Sequence, residues 1–172
     1  MKRLMVAFSL IFFVIGLFVV FSYYQNNTIE KAVKNQEDLE GWGLIEKVPF
    51  ADGVVAIAED QGLLGSAYFE KSLLGWKRVA SSQHVPLQEE GMRNDSFAFF
   101  VLNGQTFLWG DVPHDSNVAE VSFSQDGRSY STTATSSVWH ISLPFEINGF
   151  DPEQFAVTTS SGEEVSYPFN GE

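Results

Sequence analysis

Residues 4–24 (LMVAFSLIFFVIGLFVVFSYY) form a nearly unbroken apolar run with Lys2 and Arg3 in front of it, and this run decides where the rest of the chain must live. At about 1.5 Å per residue it makes roughly 30 Å of helix, the thickness of a bilayer hydrocarbon core. The charges ahead of the run are both positive, which predicts a cytoplasmic N-terminus and an extracytoplasmic remainder. The expectation is a single-pass cell-membrane protein with its cytoplasmic stub and transmembrane anchor in residues 1–24 and its C-terminal domain outside. A cleavable signal peptide shares the basic start and the apolar core but ends in a small-x-small cleavage pattern. Here the following residues are Phe21-Ser22-Tyr23-Tyr24-Gln25-Asn26-Asn27, and the tyrosine pair has the character of an interfacial aromatic belt. An uncleaved signal-anchor is therefore expected.

The exported part is strongly acidic. The chain has 22 Asp and Glu against 10 Lys and Arg, and two of those ten cations precede the anchor. Such a field disfavours nucleic acid, anionic lipid headgroups and acidic wall polymers unless cations bridge, and favours basic partners or divalent ions. The absence of cysteine excludes disulfides, thiol catalysis and thiolate metal sites. Residues 25–40 are polar and rich in helix formers, with Ile29, Val33 and Leu39 loosely spaced, which reads as a short helical, solvated juxtamembrane stalk. Lys31 and Lys34 could reach headgroups, but Glu30, Glu37, Asp38 and Glu40 argue against a polybasic membrane-binding segment.

From Gly41 the texture changes to short β-branched and aromatic segments broken by Gly, Asn and Asp about every ten residues, the mark of an all-β fold. Strands are expected at 42–48, 54–59, 66–71 and 76–81, with turns at Ala51-Asp52-Gly53, Asp60-Gln61-Gly62 and Leu74-Gly75. This predicts an antiparallel β-meander module over 41–90, with the connection to the next module in the aperiodic stretch 82–96. The second module, 97–169, shows seven segments: 97–102, 106–109, 118–124, 128–135, 138–143, 154–159 and 163–169. Asn103-Gly104 and Asp126-Gly127 are hairpin signals. Within 138–143, Trp139, Ile141 and Leu143 share one face and His140 and Ser142 the other. Seven short strands are what a small immunoglobulin-like β-sandwich needs, and the meander is expected to pack against it.

The succession of the anchor, LGSAYFEKSLLGWKRV (residues 64–79), VAEVSFSQDGRSY (118–130) and VWHISLPF (138–145) resembles small membrane-anchored or secreted all-β proteins of low-GC Gram-positive bacteria, whose activities are uncharacterised. The resemblance covers most of residues 41–169. It implies an exterior β-module and brings no catalytic residue with it.

The densest polar constellation is Asp111-Val112-Pro113-His114-Asp115. Asp111, His114 and Asp115 are candidate metal ligands, with His84, His140, Glu120 or Asp151 needed to complete a set, and calcium is the better-suited ion for so oxygen-rich a surface. The competing reading is a proline turn whose aspartates cap backbone N–H groups. There is no nucleophile elbow, zinc-protease motif, phosphate loop or dinucleotide fingerprint. Glu89-Glu90 and Glu163-Glu164 are adjacent pairs and do not form a glycosidase dyad. Trp42 and Trp76, each after a glycine, suit core packing better than a carbohydrate platform. Asn26-Asn27-Thr28 and Asn94-Asp95-Ser96 match glycosylation sequons. The expected function is a non-catalytic, membrane-anchored binding module for a protein or cell-envelope partner, with no cofactor. The alternatives are an accessory subunit docking through its transmembrane helix, where Gly16 is the lone small residue, or a metal-assisted enzyme using Asp111, His114 and Asp115.

Overall fold

Helix α1 (Lys2–Asn26) carries the apolar run, and only two residues separate it from a second helix, α2 (Ile29–Lys34). The computed structural model describes residues 2–36, 39, 41–82, 85–86, 97–112, 117–134, 137–149 and 151–166. The chain is otherwise mainly β. Strands β1 (Gly43–Phe50), β2 (Gly53–Asp60), β3 (Leu63–Ser72) and β4 (Gly75–Ser81) form a meander in that order, and β5 (Val85–Pro86) pairs with β3. A second sheet runs β10-β7-β6, from β6 (Phe97–Leu102), β7 (Gln105–Asp111) and β10 (Val138–Leu143). A third runs β12-β11-β8-β9, from β8 (Val118–Gln125), β9 (Arg128–Thr133), β11 (Phe155–Thr159) and β12 (Glu164–Ser166). All the pairings are antiparallel.

Three hairpins turn on two residues that both have positive φ: Gln61-Gly62 (49° and 80°), Asn103-Gly104 (51° and 77°) and Asp126-Gly127 (52° and 73°). Their twist matches that of the flanking strands, which sets the register of β2–β3, β6–β7 and β8–β9.

The sheets stack, with β10-β7-β6 in the middle. On one side of it, Leu108, Trp139, Ile141 and Leu143 pack on Val121, Phe123, Phe155 and Val157 of the third sheet. On the other side, Phe100, Phe107, Trp109 and Val138 pack on Val48, Phe50, Val55, Ile57 and Tyr68 of the meander. Strand β7 thus sends Phe107 and Trp109 one way and Leu108 the other, and all three are fully buried. Each such side chain contributes about 1.5–3 kcal/mol by leaving water. The outer face of the meander is closed by α2, whose Ile29, Ala32 and Val33 meet Ala56, Ala58, Ala67 and Phe69.

This last contact corrects the expectation of a solvated stalk. Ile29, Ala32 and Val33 fall at i, i+3 and i+4, one face of a helix, and are at most 5% exposed. The stripe covers a single turn between polar neighbours, too short to stand out as periodicity. Thr28 caps the helix by accepting from the Lys31 amide at 3.3 Å.

Candidate functional site

The sequence singles out Asp111, His114 and Asp115. Asp111 ends β7 opposite Val138 and is 2% exposed, while His114 and Asp115 lie outside the described residues. Of the residues suggested to complete the set, His140, Glu120 and Asp151 fall on β10, on β8 and just before the Pro152–Gln154 turn; His84 is outside the described residues. Among the described residues no three His, Asp or Glu side chains converge as a metal site.

Two polar features emerge that sequence order does not reveal. His140 Nε2 lies 3.3 Å from Glu46 Oε1, across 94 residues of chain, and joins the meander to the middle sheet. The imidazole stacks on Phe107, with ring centroids 5.8 Å apart and planes 14° from parallel. The second feature is an open concavity of about 330 Å³ lined by Gln125, Ile147, Asn148, Gly149, Asp151 and Gln154. That lining offers amides and one carboxylate, groups that can hydrogen-bond a ligand. Nearby, Thr106 is wholly buried; its hydroxyl donates to the Phe145 carbonyl at 2.8 Å and accepts from the Ile147 amide at 3.1 Å, which ties the β10–β11 connection to β7.

The most elaborated polar cluster joins α1 to the β-stack. The Lys31 ammonium donates to the Tyr24 carbonyl at 3.1 Å and sits 4.1 Å from the centre of the Tyr24 ring. The Asn35 amide donates to the Gln25 carbonyl at 2.8 Å and to Asn26 Oδ1 at 3.2 Å, and Asn26 Nδ2 donates to the Ser22 carbonyl at 3.2 Å. Gly75, at the start of β4, lies so close to Asn26 that a β-carbon there would overlap the Asn26 backbone. Lys47 of β1 donates to Glu30 of α2 at 2.6 Å. This hydrogen bond, together with the Glu30 amide and the Thr28 side chain, lowers the Glu30 pKa from 4.5 to about 2. Asn26, the acceptor of the first sequon, is thus built into packing. Trp42 is 8% exposed and Trp76 half-buried, both in the cluster beneath α2, which is the core-packing role.

Along α1, every large apolar side chain from Phe8 to Tyr24 is at least 40% exposed, and the span Phe8–Asn26 has a mean hydropathy of 2.0. The helix is long and apolar enough to cross a membrane, by length and composition. No family model, curated protein or solved structure matches the chain.

Proposed function

We propose that this protein is a membrane-anchored, extracytoplasmic, non-catalytic binding module that presents its outer sheets to a protein or cell-envelope partner. The observation that carries the reading is the contrast between the two ends of α1. A helix apolar on all sides must be buried in protein or in lipid, and the large apolar side chains of this one are exposed from Phe8 to Tyr24. Its last turn, however, is locked into the ectodomain through Tyr24, Gln25 and Asn26. A signal peptide removed at the end of the apolar core would leave those contacts without their helix, so they support an uncleaved anchor.

We assign the seven strands β6–β12 to the immunoglobulin-like class of sandwich. In their support, the first, second and fifth strands share one sheet and the third, fourth, sixth and seventh the other, with side chains interdigitating between. The departure from the antibody constant arrangement is at the edge: β9, the fourth strand, pairs with β8 rather than with β10. Folds of this class recognise partners through loops and sheet edges, and the strongly acidic surface favours basic partners.

The test is crosslinking in cells of the full-length protein, beside a version carrying an unrelated transmembrane segment, with membranes washed in alkaline carbonate. The expected result is a carbonate-resistant protein whose crosslinked partner is the same with either anchor. A partner lost with the exchanged anchor would move the activity to the transmembrane helix. A soluble product whose N-terminus lies beyond Ser22 would remove the anchor altogether.

A further inference from the structure

Leu73, in the β3–β4 turn, is 93% exposed, more than any other large apolar side chain among the described residues, those of α1 included; its neighbour Leu74 is 39% exposed. A lone surface leucine is ordinary, so exposure by itself means little. The position of this one carries the argument. The next residue, Gly75, packs directly on the Asn26 backbone, which puts the turn beside the end of α1. Asn26 is two residues past Tyr24, about 3 Å along the helix axis. With α1 across a bilayer, the anchor reading on which this inference rests, Asn26 stands in the headgroup layer and the turn beside it does too.

The turn is built to hold its leucines out. Ser72 Oγ donates to the Gly75 carbonyl at 2.7 Å and accepts from the Leu74 amide at 3.2 Å, and Gly75 takes φ of +96°. Charge follows the same geography. In a chain of net −12, all the cations beyond the anchor except Arg93 and Arg128 sit on α2, β1, β3 or β4, the elements around the exit of α1. Lys71 and Lys77 flank the turn, both exposed, with Glu70 opposite Lys77 in the ladder.

We infer that the β3–β4 turn is a second membrane contact: Leu73 and Leu74 enter the boundary between headgroups and acyl chains, and Lys71 and Lys77 meet anionic phospholipid headgroups. With the last turn of α1 fixed to the domain, the two can still lean together as the helix tilts in the bilayer. A second contact beside the helix removes that freedom and sets which strands face away from the membrane.

The chain has no cysteine, so single labels are unambiguous. Full-length protein carrying Leu73→Cys, Phe18→Cys in α1, or Ser160→Cys in the turn between β11 and β12 is labelled with an environment-sensitive fluorophore. It is then reconstituted in vesicles of phosphatidylethanolamine and phosphatidylglycerol containing lipids with a quencher on the acyl chain near the headgroup. The expected result is blue-shifted emission and loss of most intensity at positions 73 and 18, and neither at 160. Emission from position 73 matching that from 160, with position 18 quenched, overturns the second contact and leaves the anchor standing. Emission from position 18 that reads as aqueous overturns the anchor and the second contact with it. Leu73 touches solvent on nearly every side, so its replacement does not perturb folding.

Discussion

A β-carbon at Gly53 would land on the Phe69 carbonyl oxygen and within 2.7 Å of the Tyr68 hydroxyl. Phe69 is the ladder partner of Val54, so its carbonyl cannot retreat without loosening β2 from β3. Gly53→Ala is therefore expected to destabilise the β-domain by about 1–3 kcal/mol, measured as a lower denaturant midpoint at unchanged slope. Beside it, burial of the Tyr68 hydroxyl raises its pKa above 10, reinforced by the carboxylates of Glu70 and Asp52. A raised folded-state pKa means the neutral phenol is favoured in the folded protein. The stabilisation is complete below pH 10 and is lost as the pH rises through the shifted value. Thermal melts of wild type should fall above pH 10, and Tyr68→Phe should flatten that fall; an equal decline in both would assign the alkaline loss to other groups.

At the scale of elements, α2 acts as a clamp between α1 and the meander. Glu30 and Lys47, both about half exposed, bridge α2 to β1, so screening keeps the contribution below about 1 kcal/mol. The Glu30 pKa is depressed, so the bridge is intact above pH 4.5 and is lost as the pH falls toward about 2. Glu30→Gln should thus lower stability slightly at neutral pH, and the difference from wild type should vanish in acid melts across that window. Gly75→Ala goes further, because it places a side chain on Asn26 at a φ of +96°. It is expected to free the end of α1 from β4, seen as faster amide exchange at residues 25–35 with the β-sheet core unchanged. Equal exchange rates in wild type and variant would show that the junction does not depend on this contact. Much of this level was legible in the sequence. Strands β6 and β10 occupy 97–102 and 138–143 as expected, because Asn-Gly and buried alternating aromatics leave little freedom of register. The two-residue strand β5 lies in an aperiodic stretch and owes its existence to Leu63 and Leu64, so no local pattern announces it. The candidate contacts were not legible either: Gly75 meets Asn26, and Glu46 meets His140, across distances in sequence that no motif spans.

At the scale of the whole molecule, the middle sheet packs into a core cluster on each of its faces among the described residues. Phe107 touches rings from both halves: Phe50 at 5.3 Å between centroids on one, Phe100 at 5.5 Å and His140 at 5.8 Å on the other. If each half kept a separate core, truncating Phe107 would weaken only the second. Because the ring belongs to the joint cluster, Phe107→Ala removes contacts on both sides of the junction and is expected to cost about 3–5 kcal/mol. Hydrogen exchange should then show β1–β3 and β6–β7 losing protection together, with a single unfolding transition retained. The same logic applies to a fragment containing only residues 97–169. Losing Val48, Phe50, Ile57 and Tyr68 from above Phe107 and Trp109 would expose a broad aromatic face on its middle sheet, and that fragment should self-associate more strongly than one spanning residues 28–172. A monomeric, fully stable fragment by sedimentation and melting would mean that the meander is an accessory layer; an aggregating one would mean that the shared aromatic layer makes the two halves a single folding unit.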